Sequence, residues 1–171
     1  MNKLLPPHDL IEAMGESYEL LLESALKKAH QSNTAIHHVI SECRDDVKAL
    51  NKLGTDEVTK LENYLKRDLV DAAQYMDKTG KDLKFWLGFD IAQVNLKFWA
   101  LFSEAADQTT VTLNQLKVPA ETSKYHSGEF VGLGVLVCDQ CGEELHFYKP
   151  TLIPHCSKCN HTHFHRKTFQ Q

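Results

Sequence analysis

Residues 138–159 read CDQCGEELHFYKPTLIPHCSKC and hold four of the chain's five cysteines in two CxxC pairs. Four thiolates in two such pairs can enclose one tetrahedral metal ion, because each CxxC reaches two adjacent corners at metal–sulfur distances of about 2.3 Å. Gly142 and Asn160 follow the pairs, and both residue types tolerate the left-handed backbone that a tight loop around a metal often needs. The spacing therefore predicts a metal site whose ligands are Cys138, Cys141, Cys156 and Cys159.

The donor set of this predicted site separates a structural role from a catalytic one. A catalytic zinc keeps one position open for water, whereas four cysteine ligands leave none. We therefore expect about one structural zinc ion per chain and no enzymatic activity. Iron is the alternative metal, because the same all-sulfur set can hold it and spacing does not separate the two. A thiol-redox role is a further alternative, but neither CxxC precedes a helical period as a thioredoxin-like motif requires.

The segments on either side of the cysteines read as β-strands. The stretch EFVGLGVLV (129–137) is apolar and β-branched, and HTHFHRKTF (161–169) alternates in polarity. A segment of about 45 residues cannot bury a sizeable core. We therefore expect a bound metal to stand in for that core.

The N-terminal part of the chain reads as helical. Across 8–53, apolar residues recur at spacings of three and four, or sums of them. Gly15 and the polar QSN at 31–33 interrupt this pattern, so the segment could form either one long helix or two shorter helices.

Helix ends are also indicated by particular residues. The stretch LGTDE predicts a stop and a restart, with Gly54 as a left-handed C-terminal cap and Thr55 as the next N-cap. The helix that follows is expected to run to about Thr79, where Gly80 ends it. Asp82 can then cap a last helix.

This last helix is expected to reach about Ala106, and it contains LKFWLGFDIAQVNLKFWALF at 83–102. The stretch is long enough to span a bilayer, but three charged residues within it favour a buried helix. Its apolar residues fall on two sides, and both must be covered. Neighbours within the same chain are the simpler interpretation. The alternative is a homodimer whose contacts are Phe85, Phe89, Leu96 and Trp99.

Several segments resemble one known family. YHSGEFVGLGVLVCDQC (125–141), CSKCNH (156–161) and RKTF (166–169) resemble the C-terminal half of the bacterial YbeL-like zinc ribbon-containing proteins. TDEVTKLENYLKRDL (55–69) resembles their second helical segment. The resemblance implies a rubredoxin-type zinc ribbon behind a helical region, with the same four cysteines as ligands. Asn160 stands where glycine is usual in the family. No activity is established for the family, so the resemblance implies a fold and a metal but no function.

The predicted fold class is mainly α, a long-helix hairpin or bundle, with a small C-terminal β zinc ribbon of the rubredoxin-like kind. We expect the helical part to span 1–106, a linker to span 107–124 and the ribbon to span 125–171. The linker is indicated by its polar, β-branched composition and by Pro119.

Function is less constrained than fold. The net charge is -4, so the chain as a whole lacks the positive charge that drives non-specific nucleic-acid binding. The N-terminus lacks the apolar stretch of a signal peptide, so we expect a cytoplasmic protein that does not enter a membrane. The leading hypothesis is a zinc-binding protein-interaction or regulatory module on a helical scaffold. The alternative is a nucleic-acid-binding ribbon that stacks bases and contacts phosphates. The residues available for that are Phe147, Tyr148, Phe164, Phe169, Lys149, Lys158, Arg166 and Lys167.

Three alternating histidines form the remaining candidate site. His161, His163 and His165 would lie on one face of a strand. They could form a second metal site or a patch that becomes basic as pH falls. The simpler interpretation is a solvated strand face.

Overall fold

The structure, a computed structural model, describes residues 8–51, 53–112 and 124–167. The helical part precedes the strands along the chain. Its α-helices are α1 (His8–Ser32), α2 (Ile36–Val39), α3 (Arg44–Asn51), α4 (Thr55–Thr79), α5 (Lys84–Leu87) and α6 (Leu96–Thr110). Short 3₁₀ turns at Ile40–Cys43 and Ile91–Gln93 join α2 to α3 and α5 to α6. Among the described residues, no helix combines the length and the apolar character that crossing a membrane requires.

The region 8–53 is divided into more than one helix. Asn33 adopts a left-handed conformation with φ of 52°, which ends α1 at Ser32. The N–H of Thr34 donates to the carbonyl of Ala29 and closes the last turn. Asn tolerates this backbone better than most residues, so the polar interruption at 31–33 marks a true helix end.

The boundary around Gly54 differs in part from the prediction. Gly54 is extended, with φ of -71° and ψ of 163°, and acts as the N-cap of α4; its expected role as a left-handed C-cap is wrong. The carboxylate of Glu57 lies where a side chain at position 54 would begin, so a larger residue there would displace it. Thr55 is the first helical residue and not the cap. At the other end, Gly80 is the left-handed cap that the sequence predicted, with φ of 66°.

The prediction of one continuous helix over 83–102 is wrong. Helix α5 ends at Gly88, which is left-handed with φ of 86°. Asp90 then caps the 3₁₀ turn, and the side chain of Asn95 accepts the N–H of Phe98 to begin α6. Short polar side chains at helix starts satisfy N–H groups that would otherwise lack partners, and these caps outweigh the apolar periodicity. Helix α6 then continues to Thr110, past the predicted end.

The C-terminal part forms two small antiparallel sheets. The larger has the strand order β1-β6-β3-β4, and the smaller pairs β2 with β5. The strands are β1 (Tyr125–His126), β2 (Phe130–Val131), β3 (Gly134–Cys138), β4 (Glu144–Phe147), β5 (Thr151–Leu152) and β6 (His163–Arg166). Both predicted strand regions contain strands, and the mainly helical fold with a small C-terminal β ribbon is confirmed. Of the predicted linker at 107–124, residues 113–123 lie outside the described residues.

Two apolar clusters hold the molecule together. The larger is formed by α1, α4 and α6 and by the short elements between them, and it includes Phe130 and Leu133 from the ribbon. The smaller fills the ribbon between its sheets and contains Leu136, Phe164 and Ile153 beside the cysteines. Strand β2 lies against α4, β5 against α1 and β3 against α5. The ribbon is therefore packed on the helices along one side.

Candidate metal centre

The structure brings the four predicted cysteines together. Their Sγ atoms all lie within 4.8 Å of one another. Cys138 and Cys159 are 3.5 Å apart at sulfur, as are Cys141 and Cys156. A tetrahedral ion with metal–sulfur bonds of about 2.3 Å separates its ligands by about 3.8 Å, whereas a disulfide needs about 2 Å. All four cysteines are free, and their spacing fits one tetrahedral metal ion.

Two loops of the same construction present the cysteines. In each loop, the N–H of the first cysteine donates to the carbonyl five residues later, and the N–H four residues later donates to that cysteine's carbonyl. These bonds join Cys138 with Glu143 and Gly142, and Cys156 with His161 and Asn160, at 2.9 to 3.0 Å. Gly142 and Asn160 have φ of 77° and 62° and make the closing turns. Their predicted left-handed conformations are confirmed.

Backbone N–H groups point at the sulfur atoms and change their acidity. Hydrogen bonds from the N–H groups of Cys159 and Lys158 help to lower the pKa of Cys156 to about 7. The N–H of His161 acts in the same direction on Cys159, but desolvation and the neighbouring cysteines outweigh it and raise that pKa to about 12. The loops thus favour a thiolate at Cys156, while the neighbouring cysteines oppose a further negative charge at Cys159. A divalent cation removes this conflict, because thiolates are the form that binds metal.

The burial of the site matches a structural centre. Cys138 and Cys156 are buried and belong to the apolar cluster of the ribbon, while Cys141 and Cys159 are partly exposed. With sulfur at every corner, this donor set has the composition of structural zinc sites. The side chains present therefore fit zinc, which would link the β3–β4 loop to the loop before β6.

The three alternating histidines do not act as one group. His165 turns to Asp139, with 2.6 Å between its Nδ1 and the carboxylate. His163 instead contacts the ring of His161 and the ring of His126 on β1. The sequence alone did not indicate His126, because only the pairing of β1 with β6 places it beside His163.

Several residues of the nucleic-acid hypothesis are not available at the surface. Phe147 and Phe164 are 5% and 2% exposed, so neither can stack on a base. Arg166 is 6% exposed and cannot contact a phosphate. Tyr148 is exposed, and Phe169 lies outside the described residues. The structure thus contradicts the roles assigned to the three buried residues.

Arg166 instead ties the ribbon to the helices. Its Nε donates to Asp71 at 2.6 Å, and its Nη1 donates to the carbonyl of Leu133 at 2.8 Å. The guanidinium lies 4.2 Å from the centre of the Trp86 ring, at cation–π distance. Arg166 is the last residue of β6, so this contact holds the end of the metal-bearing ribbon against α4 and α5.

A second buried ion pair lies on α4 beside the first. Arg67 donates to the carbonyl of Phe130 at 2.7 Å and to Asp68 at 3.2 Å. Asp68 is fully buried and accepts the hydroxyl of Tyr18 at 2.5 Å and the N–H of Gly132 at 2.9 Å. Burial and the neighbouring Asp68 carboxylate raise the pKa of Tyr18 well above its usual value, so its hydroxyl stays a donor. We name the group formed by Arg67, Asp68, Asp71 and Arg166 the arginine clamp.

The residues of the predicted dimer surface do not share one helical stripe. Phe85 and Leu96 are 52% and 62% exposed, on opposite sides of the bend at Gly88. Phe89 packs on the ribbon, with its ring centre 4.7 Å from that of Tyr148. Trp99 is partly buried, and its ring centre lies 6.5 Å from that of Phe102. The homodimer stays a prediction.

Comparison with known proteins agrees with this site. The family model described as "Zinc-ribbon containing domain" matches residues 23–168. YbeL of Escherichia coli K12, which bears the name "Uncharacterized protein YbeL", is 27% identical over 158 residues, covering 92% of this chain and 98% of that protein. YbeL of Escherichia coli O157:H7 matches to the same extent. No solved structure matches. Because the family model matches most of this chain, the chain belongs to the zinc-ribbon containing domain family.

Proposed function

We propose that this chain is a non-enzymatic zinc protein whose ribbon is a rigid platform for recognising another protein in the cytoplasm. The observation that carries the proposal is the closed set of four sulfurs, all within 4.8 Å of one another, on a ribbon packed against helices. Such a set supplies no open coordination position, so the ion serves to hold the two loops in place. Reduced thiols, which the site needs, persist in the cytoplasm.

The proposal favours zinc over iron. Both metals accept four thiolates in a tetrahedron, so the donor set alone leaves the choice open. Zinc adds no redox reactivity, which suits a site whose role is shape. Membership of a zinc-ribbon family supports the same choice.

Metal analysis of purified full-length protein tests this choice. We expect about one zinc per chain and a colourless protein, because zinc has a filled d shell. The variant Cys156→Ser should lose most of the metal, whereas Cys43→Ser, a buried cysteine in the helical core, should retain it. Stoichiometric iron with visible absorption, or metal retained by Cys156→Ser, would contradict the proposal.

The proposed protein-binding surface lies around the bend between α5 and α6 and the adjoining ribbon hairpin. Phe85, Leu96 and Tyr148 are large apolar or aromatic side chains that remain exposed there. A contiguous exposed apolar patch is typical of interaction sites, and we propose that these side chains form one. A second copy of the chain is one partner that this surface could accept, through Phe85, Phe89, Leu96 and Trp99.

A photo-crosslinking residue placed at Phe85 tests the surface in cells. We expect a defined crosslinked protein, and we expect Leu96→Ser to reduce its yield. The matched control is Val111→Ser, which removes an 84% exposed apolar residue at the far end of α6. Light scattering on the purified protein identifies a homodimer. Absence of any crosslink together with a monomer in solution would overturn the protein-partner proposal.

A further inference from the structure

Three imidazoles meet on the surface of the ribbon, and one of them belongs to His161, whose backbone N–H donates to Cys159 of the sulfur cluster. His126 on β1 stands directly opposite His163 on β6 in the antiparallel pair. The centres of these two rings are 4.6 Å apart, and the ring of His161 lies 5.3 Å from that of His163. The pairing of β1 with β6 thus brings His126 to His163, and His161 joins them from the loop just before β6.

Two of the rings have their Nδ1 atoms beside polar partners. The Nδ1 of His163 lies 3.0 Å from the hydroxyl of Thr162, and that of His126 lies 3.6 Å from the carboxylate of Glu129. Metal-binding histidines commonly use one ring nitrogen for such a partner and the other for the metal. This arrangement leaves the Nε2 atoms of both rings for coordination.

The rings are accessible to solvent, but in this structure their nitrogen atoms do not surround a common point. His163 is exposed, while His126 and His161 are half-buried. Within the described ranges, the four cysteines are the one group that already holds its ligand atoms within 4.8 Å of one another. Side-chain rotation at the surface can bring the imidazoles together, because strand pairing places His126 directly opposite His163, and His161 precedes His163 by two residues.

We propose that His126, His161 and His163 bind a second metal ion, a divalent transition metal such as Zn²⁺, Co²⁺ or Ni²⁺. Imidazole nitrogen suits these ions, whereas Mg²⁺ and Ca²⁺ prefer oxygen ligands. Three protein ligands leave a further position for water or an exchangeable ligand, in contrast to the four-cysteine site. The proposal differs from a site at His161, His163 and His165, since His165 pairs with Asp139 at 2.6 Å.

Titration of zinc-loaded full-length protein with Co²⁺ tests the second site. We expect one further metal ion to bind while the zinc remains, without the strong thiolate-to-cobalt absorption that exchange into the cysteine site would cause. His163→Gln should weaken this binding at least about tenfold, the loss seen even when an outer partner of a metal ligand is removed. Thr162→Val should weaken it less.

The matched control is His165→Gln, an exposed histidine two residues along the same strand. It should bind the second Co²⁺ as the wild type does. Retained zinc and an unchanged circular dichroism spectrum show that each variant is folded. The proposal is overturned if wild-type protein binds no second ion at about 1 mM Co²⁺, or if His165→Gln weakens binding as much as His163→Gln.

Discussion

The metal end and the base of the ribbon are held by different forces. At the metal end, two short loops bring four sulfurs within 4.8 Å of one another. At the base, Arg67 and Arg166 donate to main-chain carbonyls of the ribbon and to carboxylates on α4. Phe130 and Leu133 join the helical core there. Four clustered cysteines thus organise the far end of the ribbon, whereas buried ion pairs and shared core residues hold it where it meets the larger helical body.

This difference changes the expected independence of the two parts. A ribbon joined only by a linker would fold or unfold without affecting the helices. The arginine clamp and the shared apolar cluster instead tie β2, β3 and β6 to α4 and α5. We therefore expect metal loss to disorder the loops first, while the base keeps its contacts with the helices.

The largest expected effect comes from removing a ligand. Cys156→Ser should lose most of the bound metal, whose apparent binding free energy in small zinc peptides is about 10–16 kcal/mol. Amide hydrogen exchange should rise sharply in 138–142 and 156–160 and much less at Phe130 and Leu133. Loss of helical circular dichroism together with the metal would show that both regions form one cooperative unit.

The second effect concerns the clamp. Asp68→Ala should destabilise the protein by about 3–5 kcal/mol, because it removes a fully buried carboxylate that pairs with both Arg67 and Arg166. Urea unfolding measures this cost, and the metal content should remain that of the wild type. Asp77→Ala, at an exposed position of the same helix, is the control and should change stability little. If the two variants lose the same free energy of unfolding, the arginine clamp does not stabilise the protein.

A smaller effect isolates one donor of the clamp. Tyr18→Phe removes the hydroxyl that donates to Asp68 at 2.5 Å, and should cost about 1–3 kcal/mol. Tyr148→Phe is the matched control, because that hydroxyl belongs to an exposed side chain. Urea unfolding of both variants gives the comparison. If Tyr18→Phe is as stable as the wild type, the N–H of Gly132 and the two arginines are sufficient hydrogen-bond donors for the Asp68 carboxylate.

The smallest effect is a pH dependence confined to the helices. Burial, with help from Lys66 and His38, lowers the pKa of His37 from 6.5. A lowered pKa in the folded state favours the neutral ring, so this contribution is complete above pH 6.5 and is lost as pH falls towards the lowered pKa. Urea unfolding should therefore show that the wild type loses stability relative to His37→Gln as the pH falls from 7.5 to 5.5. A constant difference over that range would contradict the assignment.

Local signals account for the parts that the sequence predicted well. The two CxxC pairs, Gly142 and Asn160 act within a few residues, and the structure shows both left-handed turns. Gly80 likewise ends its helix through a contact with the preceding turn. Such features depend on backbone geometry over one or two turns, which neighbouring residues determine.

Competing local signals explain the failed helix over 83–102. Gly88, Asp90 and Asn95 carried the information for a break, but each is also compatible with a helix interior. The apolar periodicity of the same residues favours one continuous helix and so conflicts with these caps. The resulting bend leaves Phe85 and Leu96 exposed and brings Phe89 onto the ribbon.

By itself the sequence determined the metal-binding pattern, the order of helical and β regions, and the end of α4 at Gly80, because these follow from spacing and backbone preference. Only the tertiary structure decided that Arg67 and Arg166 are buried, and that His126 meets His163. Arg166 and Asp68 are 98 residues apart in the chain, as Tyr18 and Asp68 are 50 apart. A charged side chain is buried when distant partners satisfy it, and those partners are defined only once the chain has folded.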